Sequence, residues 1–184
     1  MLPTNLATGE SGFQVCNLTE INGGKCVSKE DFEIACKAGS ILGTLQAGYT
    51  NFRYLSKASQ EIIEREALIG VSITGWMNNP DVLFDKQNMI DGAEEVKKWN
   101  KIVADLIGIN QAARCTAVKP SGNASVILGT ASGIHGEHSP LYFRNVQMND
   151  QDDVLSLIME QNPKMVEDSV WSNTGTDKVV SFPV

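Results

Sequence analysis

Three groups of residues in this sequence are equipped for chemistry. The first lies in CTAVKPSGNASVILG, Cys115 to Gly129. A short, partly β-branched run stops at Pro120, and Ser121, Gly122, Asn123, Ala124 and Ser125 then open onto the start of a helix. A helix start carries unpaired N–H groups and about half a positive charge, and small residues let an anion come close to them. The stretch therefore suits a phosphate cradle, and it equally suits an ordinary strand-to-helix turn, which draws on the same residue types. It is neither a GxxxxGK nor a GxGxxG loop.

The second group centres on Cys16 in FQVCNLTEI, near the end of an expected strand, where parallel α/β folds gather their chemistry. On chemistry alone the usual fate of such a thiol is packing in a core. The third is SGIHGEHSP, Ser132 to Pro140, where His135, Glu137 and His138 share a glycine-broken loop that suits acid–base work or simply a polar surface. Of the remaining cysteines, Cys36 reads as packing beside Phe32, Cys115 as the first residue of a core strand, and Cys26 as an exposed thiol without a role. No CxxC pair occurs and both histidines lie far from the four cysteines, so no metal site is expected and the thiols are expected to be free.

The elements that must position these residues alternate. Strand-like runs fall at 13–18, 67–74, 115–119, 143–148 and 178–183. Helical runs fall between them: 28–49, capped by Ser28 with Asp31 as its partner, then 56–66, 90–106 and 152–161. Strands spaced by helices of this length predict an α/β fold of parallel strands with crossover helices, with the first three strands in one sheet. If Cys16 is chemical, it must share a cleft with the turn at 120–125. Both ends of the chain run into loop-like or strand-like residues, so 1–184 reads as one incomplete segment, truncated on both sides, of a larger domain.

With 42% hydrophobic and 20% charged residues, the 184-residue chain has ordinary globular composition. A net charge of −7 with no block of Lys or Arg argues against a nucleic-acid polymer as partner. A small phosphorylated ligand stays open, because local amides bind it against an acidic background. No basic-then-apolar leader opens the sequence and no apolar run reaches a bilayer's thickness, so a cytoplasmic protein without membrane contact is expected.

CNLTEI, then EREALIGVSITGW, then TAVKPSGNASVILGTASGIHGEHSPLYFRNV occur in one order and at one set of spacings. Together they resemble the catalytic barrel of ribonucleotide reductases, above all the adenosylcobalamin-dependent (class II) enzymes that reduce ribonucleoside triphosphates. The run VEDSVWSNTGTDKVVSFPV is similar to the stretch leading into a later barrel strand. The resemblance implies part of a ten-stranded α/β barrel, mainly parallel, with adenosylcobalamin as cofactor of the whole enzyme. It implies that Ser121, Gly122, Asn123, Ala124 and Ser125 hold the substrate's phosphates, and that Cys16 is one of two thiols that reduce the ribose and become a disulfide. Implied partners are a ribonucleoside triphosphate or diphosphate, the remainder of the same enzyme and a thioredoxin-type reductant.

The departures are equally specific. The family's radical-bearing cysteine sits in an N-x-C-x-E loop upstream of the CNL motif, and nothing in MLPTNLATGESGFQV matches it. The partner thiol has no counterpart either. The isolated chain is therefore expected to reduce no nucleotide. Two rival readings are a barrel segment of an iron-dependent reductase large subunit and a non-catalytic nucleotide-binding or scaffold piece.

Overall fold

The structure is a computed structural model that describes Thr4 and residues 7–184. The chain divides into two compact units, Met1–Gly136 and Glu137–Val184. In the first unit the elements run β1 (Asn17–Asn22), α1 (Lys29–Ala47), α2 (Lys57–Glu66), β2 (Ile69–Thr74), α3 (Pro80–Leu83), α4 (Lys86–Ile107) and α5 (Gly122–Leu128). The second contains β3 (Phe143–Asn149), α6 (Asp153–Gln161), β4 (Val166–Asp168) and β5 (Asp177–Pro183).

Local chemistry sets the helix ends. Ser28 Oγ accepts the Asp31 amide at 3.1 Å and donates to the Asp31 carboxylate at 2.7 Å, so the pair closes on itself in place of a full capping box. Ser56 caps α2 in the same way through the Ser59 amide. Asp85 caps α4 and Asp152 caps α6. Gly108 ends α4 in the left-handed conformation, φ 75°, where its amide bonds the Ala104 carbonyl.

β1 and β2 pair in parallel, Asn17 against Ile69 through Asn22 against Thr74. The run expected at 115–119 joins β2's other edge through a single parallel bridge, Val71 to Thr116, with Val71 N–H donating to the Cys115 carbonyl and Ala117 N–H to the Val71 carbonyl. Thus the three segments do share one parallel arrangement, but the third is a bridge and not a ladder. Pro120, which has no amide to donate, follows closely. The expected first strand also shifts from 13–18 to Asn17–Asn22. Residues just before it dock on α2 instead: Phe13 N–H donates to Ser59 Oγ at 3.0 Å, and Gly12 lies so close that a Cβ there would stand 2.8 Å from the Ser59 nitrogen.

The expectation of mainly parallel strands fails in the second unit, where β5 lies between β3 and β4 and pairs antiparallel with both. The link from Asp168 to Asp177 is too short for a crossover helix, so the strands it joins must run antiparallel. The described residues hold five strands in two sheets, a mixed α/β fold; the ten-stranded barrel is not formed by them.

The core of the first unit sits between the parallel pair and α1 with α4. Ile21, Phe32, Ile69, Val71, Leu83 and Val96 are buried there. Small residues let α1 lie close to the sheet: Thr19 Oγ1 donates to the Gly39 carbonyl at 3.1 Å, and Gly43 lies over Ile69. Cys36 packs beside Phe32 as expected from its spacing, whereas Cys26, expected to be exposed, is also buried. Its thiol donates to the Asn22 carbonyl, which draws it inward. No helix among the described residues is long and apolar enough to cross a membrane.

Gly92 of α4 faces the Phe32 ring, and a Cβ added there would come 2.4 Å from Phe32 Cε1. Alanine ordinarily strengthens a helix, yet here the overpacking outweighs its propensity gain. Gly92→Ala should lose about 1–3 kcal/mol in urea unfolding; unchanged stability would contradict this packing.

Candidate functional site

Alternation along β1 and β2 gives the parallel sheet two different faces. Thr19, Ile21, Ile69 and Val71 face the helices. Cys16, Leu18, Glu20 and Asn22 belong to the opposite face, with Gly70, Ser72 and Thr74 beside them on β2. A Cβ on Gly70 would meet Leu18 Cδ2 at 2.6 Å, Cys16 Sγ at 3.1 Å and the Ala117 Cβ at 3.2 Å. The missing side chain at Gly70 is what makes room for the sulfur.

Cys16 as a residue is exposed, but its sulfur lies over the bare backbone of Gly70. That partial burial raises the thiol's pKa above its ordinary value. Burial also pushes up the Cys26 and Cys36 thiols, Cys36 to about 12 with Cys26, Glu33 and Glu95 adding to the effect. Neither is placed to react. Cys115 is half-buried, its thiol near the Asn100 side-chain oxygen at 3.9 Å.

The turn at 120–125 has unusual backbone geometry. Ser121 takes φ +68°, a left-handed conformation rare outside glycine, and Gly122 takes φ +25°. Ser121 precedes α5 without capping it by its side chain, so the first-turn amides of Gly122, Asn123 and Ala124 lack intrahelical acceptors. Its hydroxyl is buried and, among the described residues, has no hydrogen-bond partner. Ser125 is buried too, and its hydroxyl donates to the Gly122 carbonyl at 2.9 Å, bracing the turn from below. Gly122 and Asn123 are exposed, Ala124 half so, and a Cβ on Gly122 would meet open space.

Side chains that the sequence reading passed over fix this turn. Lys119 pairs with Glu20 on β1 at 3.2 Å, and Asn22 donates to the Leu128 carbonyl at the far end of α5. Thr74 Oγ1 donates to the Ala131 carbonyl and accepts the Gly133 amide, while Asn78 accepts the Ala131 amide. Ser132 Oγ donates to the Pro120 carbonyl. A signal was available: CNLTEIN places Cys, Leu, Glu and Asn on alternate positions of one strand, and a carboxylate inside a half-buried strand demands a partner.

The start of the histidine loop joins this site through Ser132 and Gly133, but no side-chain bond from His135 to the turn is present among the described residues. His135 turns back through its amide to the Ser132 carbonyl, and in the second unit His138 meets the Tyr142 ring edge-on. Among the described residues no group of three or more His, Cys, Asp or Glu is gathered to hold a metal ion.

Known proteins can now be set beside this geometry. No protein-family model matches the chain. The adenosylcobalamin-dependent ribonucleoside-triphosphate reductase of Euglena gracilis is 28% identical over 95 residues, covering 50% of this chain and 13% of that enzyme. The enzyme of the same name from Lactobacillus leichmannii is 23% identical over 154 residues, covering 68% of this chain and 20% of the enzyme. The crystal structure of a B12-dependent (class II) ribonucleotide reductase superposes with a TM-score of 0.67 at 18% identity, over 93% of this chain and 27% of that one. The chain resembles a segment of the B12-dependent ribonucleotide reductases. It spans between 13% and 20% of the length of the two curated reductases.

Two measurements check the site. Gly133 has φ +55°, and a Cβ there would stand 2.7 Å from the Lys119 carbonyl oxygen. Gly133→Ala should cost about 1–3 kcal/mol and shift the amide resonances of 120–125 far more than those of α1. Because the Cys16 thiol is raised, its alkylation by iodoacetamide should be slower at neutral pH than that of an unstructured cysteine peptide, with its rise displaced to higher pH. Coincident pH profiles would show that Sγ is not desolvated.

Proposed function

We propose that this chain is a working segment of a B12-dependent ribonucleotide reductase, contributing the phosphate-binding turn and one reducing thiol. The turn Ser121–Ser125 receives the phosphates of a ribonucleoside triphosphate or diphosphate on the amides of Gly122, Asn123 and Ala124, with the Ser121 and Ser125 hydroxyls at its base. The observation that carries this reading is the placement of Cys16 and the turn's Lys119 anchor on one face of the parallel sheet, the face opposite α1 and α4. The names of the curated relatives support the class of reaction.

In the full reaction the ribose loses its 2′-hydroxyl as water, and two thiols supply two hydrogens as they become a disulfide. Cys16 is one of them; its partner and the thiyl radical that opens the reaction at the 3′ carbon come from the rest of the enzyme, as does contact with a thioredoxin-type reductant. Adenosylcobalamin would supply the radical. The first unit's apolar cavity of about 270 Å³, lined by Ile21, Phe32, Cys36 and Trp76 among others, is far smaller than a corrinoid. These residues do not fit that cofactor, so no step here is routed through it.

The isolated chain should bind pyrophosphate with a dissociation constant on the order of 1 mM or weaker and reduce no nucleotide. Pyrophosphate should shift the amides of 122–125 in a nitrogen–proton correlation spectrum. When the segment is joined to the remainder of the reductase, Cys16→Ser should lower deoxynucleotide formation by about three orders of magnitude while leaving those shifts intact. Shifts that avoid the turn, or full turnover by the variant, would refute the assignment.

A further inference from the structure

The strand that directly follows the thiol also holds both ends of the turn. Glu20, four residues after Cys16 on the same face, pairs with Lys119, which leads into the turn. Asn22, two residues further on, donates to the carbonyl of Leu128 at 3.1 Å, where α5 ends. We propose that Glu20 and Asn22 are positioning residues that clamp the segment 119–128 from both sides and fix its distance from Cys16. The inference rests on the phosphate-and-thiol reading above, and adds to it the device that keeps the two groups in register.

Three observations support the clamp. The Glu20 side chain is only 9% exposed, so its carboxylate has given up most of its hydration and relies on Lys119 for compensation. Glu20 Oε1 and Asn22 Oδ1 are buried without a partner among the described residues, so neither side chain sits where it does for generic solvation; each is held by the one contact it makes to the turn segment. The turn itself is strained at Ser121 and has no capping side chain, so it cannot keep its shape unaided. Cys16 directly precedes β1, so Glu20 and Asn22 sit on the extended run that begins at the residue next to the thiol.

The test is a distance measurement in the folded chain. One nitroxide is attached to Cys16 and a second at position 123 in Asn123→Cys, with Cys115→Ser removing the half-buried thiol; Cys26 and Cys36 are buried. Pulsed electron–electron resonance should give a narrow distribution. Adding Glu20→Ala with Asn22→Ala should broaden it about twofold, as expected for local opening. A control pair between Cys16 and Gln46→Cys on α1 should stay narrow, which general loosening of the fold would not allow. Exchanging the charges, Glu20→Lys with Lys119→Glu, should restore most of the order lost in Glu20→Ala, and it serves if the double alanine variant does not fold. An unchanged 16-to-123 distribution, equal broadening of the control pair, or no recovery on charge exchange would overturn the clamp. Pyrophosphate is titrated separately: a narrow distribution that responds to Glu20 while no anion binds would refute the phosphate role and leave the clamp standing.

Discussion

A parallel strand pair cannot be closed by a tight turn. The chain between β1 and β2 has to leave the sheet, cross it and return at the same end, and here it does so with α1 and α2. α1 and α4 cover one face, with Gly39 and Gly43 letting α1 settle directly on Thr19, Val71 and Ile69. Everything chemical in the first unit follows from this one-sidedness. Among the described residues of the first unit, the other face keeps Cys16 and Leu18 exposed and receives the segment from Lys119 to Gly133 toward its carboxyl end. Parallel α/β sheets shape sites at that end, and the turn lies there, whereas Cys16, expected near a strand's carboxyl end, precedes β1 at the opposite, amino end.

The turn depends on its surroundings in an unusual degree. A serine at φ +68° followed by a glycine at φ +25° is a conformation that the local sequence disfavours. It persists because hydrogen bonds from Thr74, Asn78 and Ser132, an ion pair from Glu20 and the close approach of Gly133 determine it from several directions. Strain that is outweighed by surrounding contacts characterises sites where backbone atoms have to face a ligand.

Local chemistry was legible in the sequence, and long-range pairing was not. Ser28, Ser56 and the apolar period of α4 announce their helices because caps and periodicity involve neighbours along the chain. ALIGVSIT shows its burial on both faces, and only its first two residues lie outside β2. FQVCNL misled because its apolar pattern did not reveal that Phe13 and Gln14 would bond to α2. VEDSVWSNTGTDK hid the β4–β5 pair, since a three-residue strand carries almost no period. In the site, Cys16 and the 121–125 turn were visible as residue types, whereas Glu20, Asn22 and Lys119 matter only through the partners the fold gives them.

Those partners lie far apart in the chain: Glu20 and Lys119 are separated by 99 positions, Asn22 and Leu128 by 106. Contacts of such separation close the largest loops and are made after the entropy of closing them has been spent. Contacts inside the scaffold, such as Ser40 to Val96, and those at the far end of the 119–133 segment, such as Thr74 to Ala131, span 56 and 57 positions. The contacts of Glu20 and Asn22 span almost twice that separation, so loop closure weighs most heavily on them. The chain entropy regained whenever either contact opens is the quantity that these two side chains have to outweigh.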